Sequence, residues 1–249
     1  MTVSSATAAL AIQLMDLTSL NDNDTESSII ALVDSINPKL GIPAAVCVYS
    51  KFVADAKLAL AERKLNHIKV ATVSNFSSGQ APLNEVVNET LLAIERGADE
   101  IDLVMPYQAL IAGDEATALD YVKTSKELCP DHVQLKVIIE SGELKTPALI
   151  KRATEIAIAG GADFVKTSTG KVAVNATLEA TEVILNTIKK SQHRVGFKAA
   201  GGVKTVIDAS DYLQLAIAIM GDSYLVPATF RFGASSLLAD VYTVLNDAS

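Results

Sequence analysis

The chain has 249 residues, 49% of them hydrophobic, and a formal net charge of −8. That length suits one large core better than two ordinary domains, and the acidic balance excludes nonspecific binding to nucleic acid or to an anionic membrane, both of which need a basic surface. The two cysteines, Cys47 in an apolar strand and Cys129 at a helix end, are too few for a disulfide framework and fit a reducing compartment, so a cytoplasmic protein is expected. Residues 1–11 carry no basic leader, and no window approaches the ~18 apolar residues of a membrane span.

In chain order, apolar strand-like runs begin near Leu14, Ala44, Ile68, Ile101, Gln134, Phe164, Val195 and Thr229. Between them, helical periodicity predicts helices over Thr25 to Ile36, Ser50 to Arg63, Leu83 to Arg96, Glu115 to Leu128, Pro147 to Ala159, Leu178 to Lys189, Val206 to Ile219 and Ser236 to Leu245. Ser50, Thr146-Pro147 and Thr205 with Asp208 read as helix starts. Gly97-Ala98-Asp99 and Gly161-Ala162-Asp163 mark returns from helix to strand, with glycine ending the helix. Strict strand-helix alternation predicts a parallel sheet, and eight near-equal units predict closure into a single (β/α)8 TIM barrel spanning residues 1–249. The alternative is an open doubly wound sheet. No linker or low-complexity tract marks a second domain.

Side-chain alternation along the strands turns charges inward. With Ile101 and Leu103 facing the helices, Asp102 points into the barrel. The same parity turns Lys198, Lys136, Glu140, Asp16 and Thr18 inward. In the layered packing of such barrels, Asp102 and Lys166 share one layer, and Asp16, Lys136 and Lys198 share another. A single inward Asp or Lys is as readily half of a structural ion pair as a catalyst. Five of them at the loop-facing strand ends point to chemistry.

Two lysines stand out. Asp163-Phe164-Val165-Lys166 and Val195-Gly196-Phe197-Lys198 are apolar strands that each carry a lysine near the end, 32 positions apart. That is one strand-helix-strand unit, so the strands are neighbours and the two ammonium groups meet in a core. Burial and like charge should then lower the pKa of both lysines and leave an amine able to attack a carbonyl. Glycines and hydroxyls after strands six to eight, namely Gly170 with Lys171, Gly201 with Gly202, and Gly233 with Ser235 and Ser236, suit a phosphate group. His67, His132 and His193 each precede a strand, which places them at the opposite end from the chemistry; no metal and no cofactor are expected.

The runs Lys166-Thr167-Ser168-Thr169-Gly170-Lys171, Val195-Gly196-Phe197-Lys198, Arg231-Phe232-Gly233-Ala234-Ser235-Ser236, Leu14-Met15-Asp16-Leu17-Thr18 and Lys136-Val137-Ile138-Ile139-Glu140 resemble the signature segments of the 2-deoxyribose-5-phosphate aldolases. The resemblance implies a class I aldolase that cleaves 2-deoxy-D-ribose 5-phosphate into acetaldehyde and D-glyceraldehyde 3-phosphate. Its implied partners are these small molecules, with a homodimer left open. By resemblance, Lys166 forms the Schiff base, Lys198 perturbs it, Asp102 moves protons and Asp16 positions Lys198. Gly170, Lys171, Gly201, Gly202, Gly233, Ser235 and Ser236 would hold the phosphate. Two departures stand out: Ala199 and Ala200 replace a Pro-Ala pair, with Lys204 in place of an arginine, and some members carry a terminal tyrosine that shuttles protons, where this sequence reads Asn246-Asp247-Ala248-Ser249. The alternatives are a related Schiff-base aldolase for another phosphosugar, or a phosphosugar-binding barrel without catalysis.

Overall fold

The computed structural model describes residues 4–247. Eight parallel strands close into a barrel in sequence order: β1 (Met15–Thr18), β2 (Ala45–Val48), β3 (Lys69–Ser74), β4 (Glu100–Val104), β5 (Gln134–Ile138), β6 (Phe164–Lys166), β7 (Gly196–Ala200) and β8 (Phe230–Ala234). The last strand returns to the first through Met15↔Phe232 and Asp16↔Gly233. The fold is the expected (β/α)8 barrel.

The helices are α1 (Ser5–Gln13), α2 (Glu26–Asp34), α3 (Val53–Glu62), α4 (Leu83–Glu95), α5 (Tyr107–Ile111), α6 (Glu115–Leu128), α7 (Ser141–Leu144), α8 (Pro147–Ala159), α9 (Leu178–Ser191), α10 (Val206–Met220) and α11 (Leu237–Asp247). The eight predicted from periodicity are present. Thr146 caps α8, with Pro147 in its first turn, and Thr205 with Asp208 forms a reciprocal capping box on α10. Ser50 does not cap: it opens a short 3-10 turn ahead of α3, and its hydroxyl accepts from Arg96 Nη1 at 3.1 Å. Three helices lay outside the expectation. α1 packs against α10 and α11, while α5 and α7 are single turns in the loops after β4 and β5, too short to show a period.

The Gly-Ala-Asp repeats do more than end helices. Gly97 and Gly161 adopt φ of +93° and +88°. The following aspartates then reach back to the preceding strand: Asp99 accepts from the Val70 amide and Lys57 Nζ (2.7 and 2.6 Å), and Asp163 accepts from the Leu135 amide and Lys126 Nζ (both 2.7 Å). Each clip ties a strand's N-terminal end to the next helix-strand return. The barrel is thereby fixed at its base, and the C-terminal strand ends are free to carry variable loops.

Candidate active site

Seven charged side chains meet inside the barrel: Asp16, Glu100, Asp102, Lys136, Lys166, Lys198 and Arg231, none more than 4% exposed. The register explains the meeting, since Asp102 pairs with Lys136 and Lys166 with Lys198 across neighbouring strands. Asp102 accepts from three lysines, Lys136 at 2.9 Å and Lys166 and Lys198 at 2.8 Å each. Lys198 also contacts Asp16 at 2.5 Å, and Lys136 contacts Glu100 at 2.5 Å and Asp16 at 3.7 Å. Arg231 closes the set by pairing with Asp16 at 2.5 Å and Glu100 at 2.8 Å. The two expected layers are thus joined into one network, because lysine side chains are long enough to cross between them.

Four cations face three carboxylates, and a surplus buried charge costs several kcal/mol. The set balances when one cation gives up its proton. Among the described residues Lys166 pairs with one carboxylate, Lys198 and Arg231 with two each, and Lys136 with three. Lys166 is therefore the cation that yields most readily. Burial lowers its pKa, and the charge on Lys198 adds to that effect against the opposing pull of Asp102.

The expectation that both lysines are depressed fails for Lys198. Burial opposes its charge too, but Asp102 and Asp16 together outweigh burial and raise its pKa. Repulsion between the two lysines opposes both charges, but at Lys198 the two carboxylates outweigh what opposes its charge, and at Lys166 a single carboxylate does not. Burial also works against the carboxylates, yet Asp102 is held well below the usual range by Lys136, Lys166 and Lys198, and Asp16 by Lys198, Arg231 and Lys136.

Above the network lies a cavity of about 400 Å³ lined by Lys166, Thr18, Leu20, Asn21, Thr169, Gly170, Lys171, Asn175, Ala200, Gly201, Gly202, Lys204, Gly233, Ala234 and Ser235. Six of the seven residues expected to hold phosphate line it; Ser236 does not. Ser236 stands one position further along the turn into α11 and is exposed. Gly233 sits close over the lysine beneath it: a Cβ there would stand 3.0 Å from both Lys198 Cε and Ala200 Cβ, so a neighbour would have to give by a few tenths of an ångström. Lys171 is exposed and its Nζ donates to the Leu20 carbonyl at 2.6 Å.

Sequence reasoning missed the floor of the network and part of its rim. Glu100 and Arg231 share the inward parity of Asp102 and Gly233, a signal available in the alternation. Glu140 was expected inside without a role. It sits in a left-handed turn (φ +51°), accepting from Thr169 Oγ1 at 2.6 Å and the Thr169 amide at 3.2 Å, and burial pushes its carboxyl pKa up. The Thr169 hydroxyl in turn accepts from the Lys171 amide at 3.1 Å. Thr18, turned inward by parity, reaches the cavity wall from the end of β1, whereas Lys204, Asn21, Thr169 and Asn175 join it through loop geometry.

His67 and His132 line a separate cavity at the opposite end of the barrel, together with Asp99, Asp131, Glu100 and Arg231. Among the described residues, no group of three or more His, Cys, Asp or Glu side chains is arranged to hold a metal ion. No helix is long and apolar enough to cross a membrane among the described residues. Tyr224 donates to the Val195 carbonyl at 2.9 Å, and the Tyr242 hydroxyl accepts from the Asn37 amide at 2.7 Å, so both are held away from the cavity. Of the terminal segment, Asn246 and Asp247 belong to α11, and 248–249 lie outside the described residues.

Residues 10–242 match the profile of the DeoC/LacD family aldolases. The chain is 51% identical over 238 residues to a deoxyribose-phosphate aldolase of Agrobacterium fabrum, an alignment covering 96% of this chain and 91% of that one. Among solved structures, a Toxoplasma gondii ME49 protein provisionally called a deoxyribose-phosphate aldolase superposes with a TM-score of 0.89 at 26% identity, covering 98% and 97% of the two chains. The tetrameric deoxyribose phosphate aldolase of Aeropyrum pernix superposes with a TM-score of 0.73 at 25% identity, covering 98% and 93%. An aldolase fold, a buried lysine network and a close relative of that activity agree: the chain belongs to the DeoC/LacD family and is an aldolase, a lyase of carbon-carbon bonds.

Proposed function

We propose that the chain is a class I aldolase that cleaves 2-deoxy-D-ribose 5-phosphate reversibly into acetaldehyde and D-glyceraldehyde 3-phosphate through a Schiff base on Lys166. The observation that carries this reading is the count of ion pairs. Lys166 has one carboxylate partner, and its lowered pKa gives it a larger neutral fraction near pH 7 than an ordinary lysine has. Neutral Nζ attacks the aldehyde carbon of the open-chain sugar, and loss of water gives an iminium. Asp102, 2.8 Å from Nζ, is within reach to move the protons of that dehydration directly or through one water.

The iminium draws electrons from the adjacent carbon. Removal of the proton from the C3 hydroxyl breaks the C2–C3 bond, releases glyceraldehyde 3-phosphate and leaves an enamine on Lys166. Protonation at C2 and addition of water then free acetaldehyde and restore the amine. Lys198, held as an ammonium between Asp16 and Asp102, keeps Lys166 from being protonated; Asp16 positions Lys198. Gly170, Lys171, Gly201, Gly202, Gly233 and Ser235 hold the phosphate by amide and side-chain donors, and Lys204 adds a charge to the same wall.

Borohydride reduction in the presence of acetaldehyde, followed by peptide mass mapping, tests the chemistry. An ethyl group on Lys166 is expected. A barrel that only binds phosphosugars gives no adduct, and an aldolase for another phosphosugar gives the adduct but cleaves 2-deoxyribose 5-phosphate poorly.

A further inference from the structure

The charged network does not end at the residues that touch substrate in this reading. Below Asp102 and Asp16 lie Glu100 and Arg231, paired with one another at 2.8 Å. Glu100 reaches upward through Lys136 to Asp102 (2.5 and 2.9 Å), and Arg231 reaches upward to Asp16 and through it to Lys198 (2.5 Å each). Both residues also line the cavity at the N-terminal end of the strands. The ladder of alternating charge therefore runs through the barrel from one end to the other. Phe164 packs within it, with the Arg231 guanidinium 5.6 Å from its ring centre.

We infer that Glu100 and Arg231 are positioning residues that set, from the far end of the barrel, the pH at which Lys166 becomes nucleophilic. This rests on the Schiff-base reading of Lys166. The charge count explains how they act. Over the seven linked side chains the charges cancel with Lys166 unprotonated, so removing one carboxylate at the base makes a fourth cation harder to keep, and removing one cation makes it easier; Glu140, bonded to Thr169 and outside the linked set, is common to every variant. The groups that face Lys166 directly are Asp102 from β4, Lys198 from β7, Cys47 from β2 and Glu140 after β5, with Lys136 of β5 sharing Asp102. Glu100 and Arg231 touch none of the reacting atoms. They bias Lys166 through Lys136, Asp102, Asp16 and Lys198, both by their own charge and by fixing where those side chains stand.

The experiment is the pH dependence of acetaldehyde adduct formation, trapped with borohydride and quantified by mass, in the full-length protein. Glu100→Gln should move the midpoint of adduct formation to lower pH, and Arg231→Gln should move it to higher pH. Each shift is about one pH unit, the effect of one charge at roughly 10 Å in an effective dielectric of about 20. Arg231→Lys, which keeps the charge, should restore the wild-type midpoint. Circular dichroism checks folding, and if one neutral variant does not fold, the sign of the other decides. Midpoints that stay at the wild-type value, or that move in the same direction in both neutral variants, would overturn the inference, because loss of packing lowers rates without opposite shifts. Absence of any adduct in the wild type at every pH would instead overturn the Schiff-base reading, and this inference with it.

Discussion

Strands β6 and β7 each bury a lysine near the C-terminal end, and the two are register partners in the sheet, yet the protein treats them in opposite ways. Both lose water by burial and both touch Asp102. Lys198 has a second carboxylate, Asp16, and its pKa rises; Lys166 has none, and its pKa falls. One added ion pair at 2.5 Å is what separates a fixed charge from the lysine proposed as the nucleophile. Burial alone therefore does not activate a lysine; burial with too few counter-ions does.

The sharpest way to break the comparison is to remove the β6 lysine. Lys166→Leu fills the same space without an amine and should lower cleavage by roughly 10⁴-fold or more while the barrel stays folded; an adduct at wild-type level in this variant would show that the nucleophile lies elsewhere. Asp102→Asn acts on what the two lysines share. It should suppress exchange of the methyl protons of acetaldehyde into deuterium oxide by about 10²- to 10⁴-fold and destabilise the fold by about 3–5 kcal/mol, since three lysines lose a buried carboxylate. Unaltered exchange, read by NMR, would remove Asp102 from proton transfer.

Lys198→Leu separates the strands more finely. The folded-state pKa of Lys166 is depressed in part by the Lys198 charge, so removing that charge raises it and moves the acid limb of the rate profile to higher pH. At about 5 Å and an effective dielectric of about 20 the shift is about two pH units, which costs roughly 100-fold near pH 7 and recovers in alkali. A profile that falls without moving would mean that Lys198 is needed only for shape. The smallest effect is at the rim. Lys171→Met should raise the KM for the phosphorylated sugar about tenfold and leave the acetaldehyde adduct on Lys166 unchanged; equal loss of both would place the phosphate elsewhere.

The fold was readable because its signals are local and repeated. The strand-helix spacing, the Thr146 and Thr205 caps and the Gly-Ala-Asp returns each specify one element without knowledge of the rest. Inward parity was equally local, and it brought Asp16, Asp102, Lys136, Lys166 and Lys198 to one place. What it could not show is which carboxylate each lysine reaches, because a side chain with four rotatable bonds spans more than one barrel layer. That is why the direction at Lys198 was misjudged. The rim was read through its glycines and the parity of Thr18, whereas Asn21, Thr169 and Asn175 are common loop residues whose approach depends on the closed barrel. α1 was missed for a related reason: the residues it buries, Ala8, Ala11 and Ile12, are mostly small and acquire meaning only against α10 and α11.

The loops after β5 and β6 are fastened together at three points. Glu140 holds Thr169, the Ser141 amide donates to the Thr167 carbonyl at 2.8 Å, and Gly142 lies so close to the Val174 carbonyl that a Cβ would stand 1.9 Å from it. These segments consequently cannot be exchanged one at a time. A chimera that takes β5 and its loop from one aldolase and β6 and its loop from another cuts across the clasp, and any residue other than glycine at 142 forces the second loop away from the first. For recombination and for loop grafting, the smallest portable piece of this rim is the pair, Glu140 through Thr177, carried with the lysine between them.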